Sequence, residues 1–204
     1  MAGQARPSFD FFLVLDFEAT CDDHREIFPM EIIEFPVILL NSRTLQTEDI
    51  FHFYVQPTVN PILTDFCTKL TGIAQEQVSR QPKLPEVMKS FDDWLEKHDL
   101  LSSSHNFCFV TCGDWDLKTA LPNQCRHLRI AVPPYFRKWV NIKKAFRRIY
   151  KLPKLPRSMP YMLDRLGMAL EGRHHSGIDD AKNITKIMVE LLKLDPGIKE
   201  TFFY

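Results

Sequence analysis

Phe11-Phe12-Leu13-Val14-Leu15-Asp16-Phe17-Glu18 is the stretch on which the reading of this chain turns. Its apolar residues occupy both alternating positions, which predicts a strand over 11–17 with both faces covered, a central strand. The run ends on two acids. At i and i+2 of a strand, Asp16 and Glu18 project from the same face. Two carboxylates so close repel and resist ionising together unless cations neutralise them. Paired hard oxygen ligands suit Mg²⁺ or Mn²⁺. The same two residues also fit a strand that emerges into solvent, with Glu18 opening a loop.

Beyond this strand, Ile32–Leu40 and Ile50–Val55 are β-like, and their connections are too short for crossover helices. The three therefore read as an antiparallel meander. Pro36, inside the second, implies a bulge or an edge position. From Pro61 the pattern turns helical. Residues 61–70 end before Gly72, and 84–97 place Val87, Met88, Phe91, Trp94 and Leu95 on one stripe. Phe107–Thr111 is an apolar strand with a helix after it near 115–121, and Lys138–Asn141 is a last strand before a helix over 142–150. Leu152–Pro160 is a Pro-punctuated loop, and helices cover 161–168 and 178–194. Strands followed by helix–strand–helix units give a mixed α/β sheet. The expected organisation is a flexible leader at 1–8, one domain at 9–195 and a tail at 196–204.

The chain has 204 residues, 45% of them apolar and 25% charged, which excludes wholesale disorder, collagen and coiled coil. No apolar run approaches the ~20 residues of a membrane helix, so no membrane partner is expected. Five cysteines without a secretory leader point to a reducing intracellular compartment, cytoplasm or nucleus, and to free thiols. The sequon at Asn183-Ile184-Thr185 then reads as chance. Monomer is the default state.

The 26 basic and 26 acidic residues cancel in sum but not in distribution. Residues 117–163 hold no Asp or Glu and twelve Lys and Arg. Such a segment is a candidate footprint for a polyanion, and a self-repelling solvated face is the alternative. Tyr135, Phe136, Trp139, Phe146 and Tyr150 lie in it, as stacking surfaces for single-stranded bases or as core.

The last helix carries a second acid in an awkward place. Its apolar ladder runs Ile184, Ile187, Leu191, and Asp180 falls on that inward stripe, while Asp179 aligns with the polar face of Asn183, Lys186 and Glu190. An inward charge needs a partner; complementing the helix N-terminus explains Asp179 better than Asp180. His175, five residues before, brings an imidazole that can deprotonate water near neutral pH, with His174 as its competitor. Asp116 follows the strand 107–111 through a turn at Gly113, where α/β sheets carry ligands. Asp114 is its alternative, with helix N-cap as its natural role. No zinc spacing, Gly-rich phosphate loop or nucleophile elbow is present.

Asp16-Phe17-Glu18-Ala19-Thr20-Cys21, Glu31-Ile32-Ile33-Glu34-Phe35-Pro36, Leu70-Thr71-Gly72-Ile73, Trp115-Asp116 and His175-x₄-Asp180 occur in an order that resembles the DEDDh 3′→5′ exonucleases, in particular their ERI exoribonuclease branch. The resemblance covers about residues 9–194. It implies an RNase H-like fold with a five-stranded mixed sheet flanked by helices. It also implies that Asp16, Glu18, Asp116 and Asp180 are metal-binding acids for two Mg²⁺ ions, Mn²⁺ being the alternative. His175 would be the general base, catalytic together with Glu18. Phe17, Glu18, Ala19 and His175, with Leu70 and Thr71, would bind the terminal nucleotide. The implied partner is the 3′ end of single-stranded RNA, and the product a nucleoside 5′-monophosphate. An RNA-binding or protein-interaction module with structural acids is the rival reading, and a DNA exonuclease of the same fold a third.

Overall fold

A computed structural model describes residues 7–102 and 104–203. The apolar run becomes β1 (Phe11–Leu15), buried at every position. β2 (Glu18–Ala19) continues its path after a break of two residues. β3 (Ile32–Asn41) runs antiparallel to β1, and β4 (Thr47–Tyr54) antiparallel to β3, which is the expected meander. β5 (Phe107–Thr111) lies parallel to β1 on its other side, and β6 (Lys138–Asn141) parallel to β5. The main order is β4-β3-β1-β5-β6, a mixed sheet with β1 at its centre. Two short strands extend it: β2 against β3, and β7 (Phe202–Phe203) antiparallel to β6. Two residues are too few to carry a period-2 signal, so neither is visible in sequence.

Pro36 sits in an interior strand, not at an edge. Its register places it opposite the break between β1 and β2: the β1–β3 ladder stops at Leu15 against Val37 and resumes at Glu18 against Glu34. A residue without an N–H is tolerated where the neighbouring ladder is already interrupted.

Seven α-helices flank the sheet: α1 (Asp65–Thr71), α2 (Gln75–Val78), α3 (Leu84–Lys97), α4 (Leu121–Leu128), α5 (Ile142–Ile149), α6 (Met159–Arg165) and α7 (Gly177–Leu194) among the described residues. α1 starts later than Pro61 because the Thr64 hydroxyl caps it, accepting from the Cys67 N–H at 3.0 Å. It stops where Gly72 takes φ 78, a left-handed conformation that suits glycine. The helix near 115–121 opens as a π-helical turn, Asp116–Ala120, and runs on as α4. α6 begins inside the stretch read as loop: Ser158 caps it and Pro160 fits its first turn.

β1 alternates its side chains between two cores. Leu13 and Leu15 join Phe35, Phe91 and Phe109 on the α3 side, while Phe12 and Val14 join Phe146, Ile184 and Leu191 under α5 and α7. The aromatics of the basic segment are structural. Phe136, Trp139 and Phe146 are fully buried, the Tyr135 hydroxyl donates to Asp92, and Tyr150 stacks on Phe146. Of the leader, residues 1–6 lie outside the described residues. The tail is tied down up to β7: Ile198 is buried, the Thr201 hydroxyl accepts from the Asn141 N–H, and the Phe202 ring stacks on Trp139.

Candidate active site

The stretch 11–17 is not one continuous strand. Asp16 and Phe17 lie in the break, and the Phe17 N–H donates to Asp116 Oδ1 at 2.9 Å. That bond ties the tip of β1 to the first residue of the π-helical turn after β5. Such turns recur at functional sites because the widened ring redirects a side chain. Carboxylate oxygens of Asp16, Glu18 and Asp180 all lie within 4.8 Å of one another. Asp116 is buried beside this trio rather than inside it.

α7 delivers Asp180 by the logic of its inward stripe: the residue is buried in line with Ile184, Ile187 and Leu191. Its Oδ2 accepts from the His175 N–H at 2.9 Å and meets His174 Nδ1 at 3.0 Å. His175 adopts φ 66, which aims its N–H at Asp180 while its ring stacks on His174, centroids 4.0 Å apart. Burial, then the charge of His174, holds the His175 pKa below its usual value, and the pull of Asp180 does not make up the difference. A neutral imidazole is the form that accepts a proton. Gly177 permits the approach of α7 to β1: a Cβ there would stand 2.7 Å from the Asp16 carbonyl oxygen and 3.0 Å from Glu34 Oε2.

Glu34 is the residue that the pattern-reading missed. It lies on β3, 1% exposed, and its carboxylate accepts from the Gly177 N–H at 2.9 Å and the Ile178 N–H at 3.1 Å and meets His52 Nε2 at 2.8 Å. A carboxylate at a helix N-terminus is favoured by both free N–H groups and dipole. The signal was present: an acid inside an otherwise apolar strand has to find partners. Glu31, likewise buried, accepts from the N–H groups of Thr58, Val59 and Asn60 and so fixes the loop after β4.

The other expected positions are distributed as follows. The Phe17 ring is buried against Phe35, so only its backbone faces the acids. Ala19 is buried beside Cys67, whose thiol reaches its carbonyl. Leu70 and Thr71 sit on α1, and the Thr71 hydroxyl is engaged at its end, donating to the Cys67 carbonyl and accepting from the Ile73 N–H. Neither lines the cleft of about 260 Å³ that Asp16, His174, His175 and Asp180 share with Lys143 and Arg157. Asp114 does not cap a helix with its side chain. It holds Trp139 Nε1 at 3.0 Å and Lys144 Nζ at 2.8 Å. Asn183, assigned to the polar face of α7, is fully buried, because its amide clasps the backbone of Glu171 on the loop that covers it.

Burial, then the charges of Asp116, Glu18, Asp180 and Glu34, drives the Asp16 carboxyl well above the usual carboxylate range. Burial, then Glu34, Asp180 and Asp116, pushes Glu18 up to about 9. Burial lifts Asp116 to about 6 against the bond from Phe17, and lifts Asp180 against the bonds from His175 and His174. Among the described residues no donor reaches the carboxylates of Asp16 or Glu18. A crowded set of hard oxygens, partly without donors, fits a divalent cation, which would reverse each of these shifts.

One consequence is a pH dependence of stability. Without metal the folded domain keeps a proton on Glu18 up to about 9, whereas the unfolded chain loses it near 4.5. The folded state therefore binds more protons, and the contribution of this group falls as pH rises through that window. The melting temperature in EDTA is expected to drop between pH 6 and 8.5, and Mg²⁺ to flatten the decline. A decline unchanged by Mg²⁺ refutes the coupling.

This strand order, with the acids at the broken tip of the central strand, is the RNase H-like α/β fold. The chain belongs to the exonuclease family: the RNase T exonuclease model matches residues 13–188. It is 50% identical over 185 residues to ERI1 exoribonuclease 3 of Homo sapiens, a match covering 90% of this chain and 54% of that protein. With 3′-5′ exoribonuclease 1 of Mus musculus it shares 44% identity over 186 residues, 91% of this chain and 54% of the relative. The chain thus spans about half the length of the curated relatives it matches. The nuclease domain of 3′hExo, a DEDDh family member solved bound to rAMP, superposes with a TM-score of 0.93 at 40% identity, covering 98% of this chain and 100% of that one. The DEDDh exonucleases depend on divalent metal ions.

Proposed function

We propose that this domain is a metal-dependent 3′→5′ exoribonuclease that hydrolyses terminal phosphodiesters of single-stranded RNA and releases nucleoside 5′-monophosphates. The observation that carries this is the meeting of Asp16, Glu18 and Asp180 oxygens within 4.8 Å, with His175 in the same cleft. The names of the relatives and the rAMP of the structural neighbour point the same way.

Asp16, Glu18, Asp116 and Asp180 are the residues that would hold two divalent ions, Mg²⁺ or alternatively Mn²⁺. Bound there, such ions supply Lewis acidity at the scissile phosphate and lower the pKa of a water. His175 takes the proton of the attacking water: among the described residues no acid is hydrogen-bonded to its ring, whereas the ring of His174 is engaged with Asp180. The Phe17 N–H fixes Asp116, and the His175 N–H fixes Asp180. In-line attack leaves the chain one nucleotide shorter.

The test compares the purified domain with His175→Ala on single-stranded RNA in Mg²⁺. Loss of a general base is expected to slow hydrolysis about 10²- to 10⁴-fold, and His174→Ala is expected to lose less. Equal rates for the parent and His175→Ala remove this base assignment. A parent that binds RNA without shortening it supports the rival module. Matched RNA and DNA oligonucleotides settle the preference for ribose.

A further inference from the structure

We infer that Lys143 and Arg157 form a cationic subsite for the phosphate immediately upstream of the scissile one, so that the cleft grips two successive linkages of the RNA backbone. The inference rests on the exonuclease reading of the acid site and adds to it which side chains hold the rest of the strand.

The basic segment is not a uniform patch. Lys144 is tied to Asp114 at 2.8 Å and Arg148 to Asp195 at 2.7 Å. Lys118 lies 5.0 Å over the Phe202 ring and Lys138 5.5 Å over Phe9. Lys143 and Arg157 differ from all four in their place: both line the cleft that holds Asp16, His175 and Asp180. They differ from Lys144 and Arg148 also in that, among the described residues, no carboxylate comes within 4.0 Å of either.

Their positions are also fixed. Lys143 stands in the first turn of α5, where the Asn141 side chain, at the end of β6, accepts its backbone N–H at 3.1 Å. Its ammonium donates to the Arg157 carbonyl at 3.4 Å, which brings the loop before α6 to the same place. The Arg157 guanidinium lies 5.7 Å over the Tyr161 ring, held there by cation–π attraction. Cys112, also in the cleft, is within electrostatic reach of both Lys143 and Asp16.

The cleft is therefore polarised. At the acids a phosphate needs intervening cations; at Lys143 and Arg157 it needs none. A guanidinium and an ammonium are complementary to a phosphodiester anion, and their contact is blind to base sequence. A strand with its terminal linkage at the acids passes its next phosphate to this pair.

The test uses two substrates in Mg²⁺: a single-stranded RNA, and the p-nitrophenyl ester of uridine 5′-monophosphate, which has a scissile ester but no upstream phosphate. For Lys143→Gln/Arg157→Gln, KM on RNA is expected to rise about tenfold or more, with kcat within threefold. The slope of log(kcat/KM) against log salt is expected to shrink by about 0.7, the loss of one neutralised single-strand phosphate. Hydrolysis of the ester stays at the parent rate. Lys143→Arg with Arg157 intact keeps the parent KM and slope. Equal losses on RNA and ester, or no change on RNA, overturn the subsite. A parent inactive on both substrates overturns the exonuclease reading itself, and the subsite falls with it.

Discussion

Asp16→Asn is expected to abolish hydrolysis and, in EDTA, to raise the melting temperature of the same domain. The two effects have one cause. Asp16 sits among Asp116, Glu18, Asp180 and Glu34, each of which opposes its ionisation in addition to burial. An amide there needs neither to carry a charge nor to take up a proton on folding, so the metal-free fold gains stability, by a few degrees for a change of about 1 kcal/mol in a domain of this size. The same oxygen is one of three that converge within 4.8 Å, and an amide is a far weaker ligand for a hard cation. Loss of metal-centred stabilisation worth several kcal/mol slows turnover roughly 10³-fold or more. Added Mg²⁺ or Mn²⁺ should raise the melting temperature of the parent and leave the variant unmoved. Thermal scans with and without metal, beside an RNA-shortening assay, read both. A variant that is less stable in EDTA and still responds to metal would show that Asp16 is structural.

The legible parts of the fold were those with an unbroken apolar signal. α3 lies at the residues the pattern indicated because it buries one stripe, and β5 and β6 because they are apolar runs buried at nearly every position. Asp180 was legible for the same reason: eighteen helical residues define an inward stripe well enough to expose one acid on it. What the sequence withheld was interruption and long-range closure. Continuing the strand through Asp16 and Phe17 is the natural reading of an apolar run. The break arises because the Phe17 N–H finds Asp116, 99 residues away, and nothing local announces that partner. The burial of Asn183 depends on the Glu171 loop folding over it, and the division of the basic segment into tied and free cations depends on Asp114, Asp195 and Phe202 arriving from other elements.

Glu34 shows the same limit and leads to the second large effect. Glu34→Gln keeps the shape of the side chain but leaves one acceptor oxygen where two now receive the Gly177 N–H, the Ile178 N–H and His52. Its new NH₂ points a donor at a donor. A buried acceptor of charged type that loses bonds costs about 1.5–3 kcal/mol for each effective bond. Against this, removing the charge eases Glu18, on which Glu34 is the largest pressure after burial. The bonds win, since one or two of three close contacts at 3.1 Å or less are lost or inverted inside the fold whereas the relief is shared among several acids. A net loss of about 2–4 kcal/mol is expected in denaturant unfolding. Activity should fall further than stability alone dictates. Gly177 touches both Glu34 and the Asp16 carbonyl, so a shift of the α7 N-terminus moves Asp180 and the approach to His175 together. A misplacement of 1 Å costs about 10² in rate, expressed in kcat under conditions where the variant is fully folded. His52→Ala, which removes only the half-exposed partner, should cost less on both scales. If Glu34→Gln matches the parent in stability and in kcat, the N-terminus of α7 is held by its packing alone, and the carboxylate has no part in positioning the acids.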